Sequence, residues 1–125
     1  MAVSVAIESP LQDDVTGLVE ALDAGEAVGL GALKDVGLDT GLRTGEVKRM
    51  FTAPTVRGQR IGSTLLDAIC ARARELGIER LVLETGVGEG LAAAVRLYEN
   101  HGFTECGAVL DYPDSGYSRF FEKKL

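Results

Sequence analysis

A turn rich in glycine and arginine, V-R-G-Q-R-I-G at residues 56–62, separates a strand-like segment from an amphipathic helix. Apolar residues recur at helical spacing over residues 61–76, and Gly77 ends the pattern. Strand-like segments at 46–52 and 80–85 flank the turn and the predicted helix. The second segment contains an apolar run typical of strands covered on both faces. The sequence therefore predicts a βαβ unit, two parallel strands joined by a helix through a right-handed connection.

The same turn is suited to bind a phosphate. At the start of a helix several backbone N–H groups have no partner within the helix, and the helix dipole places partial positive charge there. Arg57 and Arg60 add two cations in a chain whose net charge is −6. We therefore expect an anion larger than a single carboxylate at this turn, which lies at the carboxyl edge of the two parallel strands.

The remaining segments predict further strands and helices. Ser9, Pro10 and Gln12 are start signals for a helix, apolar residues then follow at helical spacing to Leu22, and Gly25 is a terminator. This pattern predicts one helix over about residues 10–24. A turn and loop are expected at 34–44, a second helix at 91–100, and strands at 3–7, 27–33, 104–110 and 117–123.

Composition limits the class of protein. A chain of 125 residues with 46% hydrophobic content is long enough for one domain, over residues 1–125, to bury its own core. No apolar run reaches the roughly 18 residues that span a bilayer, and the N-terminus has no basic segment followed by an apolar one, so we expect a cytoplasmic protein without membrane contact. The acidic charge and the lack of a basic stripe argue against nucleic-acid binding. Two cysteines without short spacing predict no metal site.

Four segments carry a resemblance to a known family. The turn, read as Arg57, Gly58, Gln59, Arg60, Ile61, Gly62, resembles the cofactor-binding motif of the GNAT superfamily of N-acetyltransferases, with Arg60 in place of the middle glycine. The resemblance also covers G-E-V-K-R-M-F-T-A-P at 45–54, L-V-L-E-T-G at 81–86 and R-L-Y-E-N-H-G-F at 96–103. Together these segments span about the last two thirds of the chain.

The resemblance implies an α/β fold, in which helices flank a central mixed β-sheet, as in the acyl-CoA N-acyltransferases. It also implies that the N-terminal part of the fold is shortened. Family members place two helices and another strand between the first strand and the strand before the Glu46 segment, whereas here one helix leads almost directly into A-V-G-L-G-A-L at 27–33. One helix and one strand near the N-terminus are therefore expected to be lacking. Because a missing strand leaves unpaired backbone edges, we predict a homodimer.

The resemblance further implies that acetyl-CoA is the cofactor, used as a co-substrate, with no metal. In the family its pantetheine arm enters between two splayed parallel strands, which here are 46–52 and 80–85. The backbone of Met50, Phe51 and Thr52 matches the positions that hold the acetyl and pantetheine portions. The diphosphate is expected on the turn and first helical residues: Arg57, Gly58, Gln59, Arg60, Ile61, Gly62 and Ser63.

Catalytic roles are assigned on the same basis. Tyr98 matches the family tyrosine that donates a proton to the departing thiolate, although a core tyrosine bonded to a carbonyl would fit its pattern too. Glu46 and Glu84 are alternative bases for the acceptor ammonium, and either glutamate could instead pair with a cation such as Lys48. His101, the single histidine, is expected to cap a helix.

The sequence therefore predicts direct transfer of acetyl to an amine of a small molecule or peptide, without a covalent enzyme intermediate. Asp111 and Tyr112 lie where family members often contact acceptors, but the acceptor itself stays open. An alternative is a non-catalytic acyl-CoA-binding module whose acceptor site has been dismantled. Nucleotide binding through G-V-G-E-G at 86–90 is a third interpretation, although a dinucleotide motif needs glycine or alanine where Leu91 stands.

Overall fold

The structure is a computed structural model that describes residues 3–8, 17–23, 26–52, 60–86 and 91–125. In chain order the described elements are β1 (Val3–Glu8), β2 (Gly17–Asp23), β3 (Glu26–Asp39), β4 (Leu42–Thr52), α1 (Ile61–Glu75), β5 (Arg80–Gly86), α2 (Ala92–Asn100), β6 (Thr104–Cys106) and β7 (Ser118–Lys124). Helix α1 closes with Gly77 at φ 77°, a left-handed conformation that glycine adopts without strain.

These strands form a seven-stranded mixed sheet in the order β1-β2-β3-β4-β5-β7-β6. Neighbouring strands are antiparallel except for the central pair, β4 and β5, which run parallel. Helix α1 connects this parallel pair, so the predicted βαβ unit is confirmed. The α/β fold class predicted from the sequence, a central mixed sheet flanked by helices, is also confirmed.

Side chains on the two faces of the sheet form separate apolar clusters. The larger cluster contains the buried face of α1, and Leu97 and Tyr98 of α2 pack against it. Its buried strand residues are Val19, Ala21, Leu33, Val47, Leu81, Leu83 and Phe121. The smaller cluster holds Val82, Val109 and Phe120 on the opposite face, with Leu110 and Tyr112 packed against it. Because side chains alternate along a strand, neighbouring positions such as Val82 and Leu83 serve different clusters.

The helix predicted over residues 10–24 is wrong where the structure describes it, since Gly17–Asp23 is strand β2. Residues 9–16 lie outside the described residues. Val19 and Ala21, two positions apart, are fully buried, as alternation in a strand requires. β2 pairs on both sides, with β1 and with β3, and these distant partners override the local helical pattern. One strand near the N-terminus was expected to be lacking. That strand is present as β2, and it is formed by residues that were predicted to be helical.

Two further boundaries differ from the prediction. Residues 34–44, expected to be a loop, mostly continue β3 and β4, and the chain reverses only at Thr40 and Gly41. Both turn residues have positive φ, 52° and 82°, which matches the twist of a tight hairpin. The strand expected at 104–110 ends at Cys106, and the segment after it crosses the second face of the sheet.

Candidate active site

Strands β4 and β5 pair over only a short length. Their parallel register covers Thr44↔Arg80, Gly45↔Leu81 and Glu46↔Val82. Beyond this point β4 continues to Thr52 and β5 to Gly86, and no register joins them in the described residues. Unpaired backbone N–H and C=O groups in the middle of a sheet need other partners. The two strands therefore present a gap that an extended ligand could fill with hydrogen bonds.

A bulge in β4 accompanies this divergence. On β3, Gly31 and Leu33 are two residues apart, whereas their partners on β4, Met50 and Val47, are three residues apart. The extra residue of β4 lies just beyond the last pair with β5. Because a bulge bends its strand and increases the local twist, it turns the outer half of β4 away from the direction of β5.

The first turn of α1 carries donors without helical partners. Thr64 N donates to Arg60 O at 3.0 Å, so the N–H groups of Ile61, Gly62 and Ser63 precede the first intrahelical bond. No side chain among the described residues caps this end, and the first turn contains no acidic residue. Arg60 at the N-cap has φ 63° and ψ 24°, a left-handed conformation that glycine adopts most easily.

The start of α1 is held against the end of α2. A Cβ atom on Gly62 would lie 3.0 Å from Leu97 Cδ2, so glycine permits this close approach. The His101 ring bridges the two helices, since its Nε2 is 2.8 Å from Ser63 Oγ and its Nδ1 is 3.1 Å from Asp67 Oδ1. The backbone of His101 also caps α2, as predicted. The helix end that would receive a phosphate is therefore fixed in place by α2.

Tyr98 lies on the helical face of the sheet. Its half-buried ring meets Phe103 edge-on at a centroid distance of 6.2 Å and Phe121 in a tilted contact at 5.7 Å. Its hydroxyl makes no hydrogen bond to any other described residue. The alternative interpretation, a core tyrosine whose hydroxyl donates to a carbonyl, therefore has no carbonyl partner among these residues. Burial raises the pKa of the Tyr98 hydroxyl above its ordinary value.

Glu46 lies on the opposite face, at the last paired position of β4. It is buried, with 5% of its surface exposed, and its Oε2 accepts a hydrogen bond of 2.6 Å from the Tyr112 hydroxyl. That hydrogen bond, then burial, then the charges of Glu46 and Glu84 raise the pKa of Tyr112 to about 12. The hydroxyl of Tyr112 thus stays protonated and orients the carboxylate beside the gap.

An open groove of about 410 Å³ lies beside this carboxylate. Glu46 and Tyr112 form part of its wall together with Lys34, Val36, Leu38, Asp39, Lys48, Leu110 and Asp111. Its walls come from β3, from β4 and from the segment between β6 and β7. The groove therefore combines a buried carboxylate, lysine ammonium groups and an apolar side.

The structure separates the predicted site residues into two groups. Ile61, Gly62, Ser63 and Tyr98 belong to the helical face, whereas Glu46, Tyr112 and the exposed Glu84 belong to the other. Met50 is half-buried against the larger cluster, and Phe51 and Thr52 end β4. Arg57, Gly58 and Gln59 lie outside the described residues. Glu46 is at the last position at which β4 pairs with β5, and Glu84 lies on β5 beyond the last pair.

Lys34 and Leu38 were not predicted to be site residues, because both lie in the segment that was expected to be a loop. The alternation of β3 could have found them, since Lys34 follows the buried Leu33 and must face the other side. Among the described residues there is no group of three or more His, Cys, Asp or Glu side chains that could hold a metal. No helix in the described part of the chain is long and apolar enough to cross a membrane.

Known proteins are similar to this chain in sequence and fold. An IAA acetyltransferase from Azospirillum brasilense is 37% identical over 155 aligned residues, covering 98% of this chain and 98% of that protein. That alignment is longer than this 125-residue chain, so the relative carries residues without a counterpart here. A Klebsiella pneumoniae crystal structure assigned as an acyl-CoA N-acyltransferase is 28% identical, with TM-score 0.83 and coverage of 98% and 97% of the two chains.

The PaiA N-acetyltransferase from Thermoplasma acidophilum, crystallised in complex with coenzyme A, shares the fold with TM-score 0.70 at 20% identity, covering 86% of this chain and 60% of that chain. The fold is thus that of the acyl-CoA N-acyltransferases. Residues 5–103 match the Acetyltransferase (GNAT) family, and the chain belongs to that family. It is accordingly an enzyme of the acetyltransferase class.

Proposed function

We propose that this enzyme transfers the acetyl group of acetyl-CoA to the amine of a small molecule or peptide by direct attack. The observation that supports this most is the end of β4–β5 pairing at Glu46 and Val82, beside the unsatisfied amides of α1. The backbone of β4 beyond Glu46 can hold an extended arm. The start of α1 can hold a diphosphate at the same edge.

The residues that would bind the cofactor follow from this geometry. The N–H groups of Ile61, Gly62 and Ser63 would donate to the diphosphate, with the Arg60 cation beside them. The backbone of Met50, Phe51 and Thr52 would hydrogen-bond the pantetheine arm, as the family resemblance implies. Coenzyme A in the complex of the PaiA N-acetyltransferase supports the choice of cofactor for this fold.

The reaction needs one base and one acid. The acceptor ammonium gives a proton to Glu46, and the neutral nitrogen attacks the thioester carbonyl carbon. The carbon–sulfur bond then breaks, and the sulfur leaves as a thiolate that takes the Tyr98 proton. The nitrogen loses its second proton as the amide forms, and that proton returns, through solvent, to the Tyr98 phenolate. Glu46 releases its proton to solvent, so the net products are an acetylamide, the free thiol of coenzyme A and one proton. Glu84, which is exposed, adds negative potential near the same amine.

The proposal is tested with Tyr98→Phe in an assay that follows thiol release from acetyl-CoA. General acid help typically contributes about 10²–10⁴-fold, so kcat is expected to fall by about that factor while the KM for acetyl-CoA changes little. Tyr117→Phe is the matched control, because Tyr117 is 79% exposed and does not line the groove. An unchanged kcat for Tyr98→Phe would rule out its role as the acid.

The two glutamates are distinguished in the same assay. Glu46→Gln keeps the size of the side chain but cannot accept the ammonium proton, so kcat/KM is expected to drop by about 10²-fold or more at neutral pH. Glu84→Gln removes only a nearby charge and should cause a much smaller loss. If Glu84→Gln had the larger effect, the base would be assigned to Glu84 instead.

A further inference from the structure

We propose that the acceptor is an amino acid with a free carboxylate and an apolar side chain. This inference rests on the proposed function, because it assigns a substrate class to the groove next to Glu46. Three features of the groove support it: a lysine opposite the buried carboxylate in the strand register, charged residues of both signs along its walls, and an apolar side.

The first feature is the pair of Lys34 and Glu46. These residues are directly opposite each other on antiparallel strands and on the same face, where Cβ atoms lie about 4.5–5.5 Å apart. Such a pair usually forms an ion pair, but the Glu46 carboxylate receives the Tyr112 hydroxyl instead. Lys34 makes no ion pair with any described residue. The Lys34 ammonium group thus has no ion-pair partner among the described residues and lines the same groove as the carboxylate that would receive the proton of the substrate amine.

The second feature is the charge of the groove as a whole. Asp39 is engaged by Arg80, whose Nη1 lies 2.9 Å from Asp39 Oδ2. Apart from that pair, the lining contains the cations Lys34 and Lys48 and the anions Glu46 and Asp111. Lys48, like Lys34, forms no ion pair within the described residues. The two lysines would attract a negative group of the ligand and Glu46 its amine, whereas a polyamine would bring further positive charge to two cations that have no ion-pair partner among the described residues.

The third feature is the apolar wall formed by Val36, Leu38 and Leu110. Leu38 is 78% exposed, whereas Val36 and Leu110 are half-buried. An apolar substrate side chain placed against this wall would remove it from water. The amine would then face Glu46, and the carboxylate would face Lys34 and Lys48.

The experiment compares acceptors that differ only in the carboxylate. Phenylalanine, phenylalaninamide and phenethylamine share the ring and the amine, and spermidine represents a polyamine. We expect kcat/KM for phenylalanine to exceed that for phenethylamine and phenylalaninamide by about tenfold or more, since each lacks the charge-assisted contact. Equal or better use of phenethylamine or spermidine would overturn the inference and leave the proposed function standing. Absence of turnover with every amine would instead contradict the proposed function.

Variants of Lys34 and Lys48 test whether these two residues contact the substrate carboxylate. Lys34→Gln and Lys48→Gln are expected to raise the KM for phenylalanine about tenfold, with kcat and the use of phenethylamine little changed. Lys124→Gln, an exposed lysine at the end of β7 outside the groove, is the matched control. If the lysine variants lowered the use of phenylalanine and phenethylamine equally, the lysines would not contact a carboxylate and the inference would fail.

Discussion

Arg60 occupies a backbone position that suits glycine. Its φ of 63° places a Cβ atom in a left-handed conformation, which costs roughly 1–2 kcal/mol for a residue other than glycine. The GNAT motif has a glycine at this position, so this chain carries backbone strain at the edge of the proposed cofactor site. The Arg60 cation offsets that cost if it contributes to binding of the diphosphate.

We therefore predict opposite effects of Arg60→Gly on stability and binding. The free energy of unfolding should rise by about 1 kcal/mol because the strain is relieved. Affinity for coenzyme A should fall, because the variant lacks the attraction between the Arg60 cation and the diphosphate. This loss of affinity should be smaller at high salt, because salt screens that attraction in the wild type as well. Denaturant titration and calorimetry measure the two effects. Arg60→Ala is the control, since it loses the cation but keeps the strained Cβ and should gain no stability.

Tyr112 and Glu46 make stability depend on pH at the alkaline end. The pKa of Tyr112 is raised to about 12 from its usual value near 10, so folding favours the protonated hydroxyl. This stabilisation is fully present below pH 10 and is lost as the pH rises toward 12. Tyr112→Phe should cost about 1–2 kcal/mol at pH 7, the range of a partly exposed hydrogen bond to a charged group.

The difference in unfolding free energy between wild type and Tyr112→Phe should accordingly narrow above pH 10. Denaturant titrations at pH 7, 10 and 11.5 measure it, with Tyr117→Phe as a control that lacks the carboxylate partner. A difference that stays constant from pH 7 to pH 11.5 would show that the Glu46 hydrogen bond contributes nothing.

At the scale of elements, the contact between α1 and α2 depends on Gly62. Gly62→Val would place side-chain atoms against Leu97, and such overpacking typically costs about 1–3 kcal/mol. Because the same contact positions the first turn of α1, the KM for acetyl-CoA should rise as well. Gly107→Val is the matched control, since a Cβ there meets no atom within 4 Å. Equal stability of the two variants would contradict the prediction.

The elements that the sequence predicted correctly are those defined by local signals. Helix α1 has an apolar stripe and a closing glycine, and the observed bounds, Ile61–Glu75, agree with the pattern. β2 could not be predicted in this way, because Leu18, Val19 and Leu22 also satisfy a helical spacing and only pairing with β1 and β3 decides between them. The hydrogen bond between Glu46 and Tyr112 joins residues that are far apart in the sequence, and the local sequence around either residue does not predict it.

At the scale of the whole molecule, the order of strands determines where the sheet ends. β1 and β6 are the outer strands of the described sheet. β6 has only three residues, whereas β1 has six and offers a longer row of backbone groups. Pairing of two β1 edges would extend the sheet across a twofold axis.

We therefore still expect a homodimer. Light scattering coupled to size-exclusion chromatography at micromolar concentration should give a mass of about twice the 13.2 kDa of the chain. Detection of monomer alone under these conditions would contradict the predicted homodimer. The cofactor site would be unaffected, because its described residues belong to β4, β5, α1 and α2 of one chain.

The central claim is that the start of α1 binds a diphosphate while the gap between β4 and β5 receives the arm attached to it. NMR titration of the backbone amides with coenzyme A and with pantetheine, which lacks the diphosphate, tests it most directly. Coenzyme A should shift the amides of Ile61, Gly62 and Ser63 and those of β4 beyond Glu46, whereas pantetheine should shift only the β4 amides. Saturable binding of coenzyme A that leaves residues 61–63 unshifted would contradict the claim.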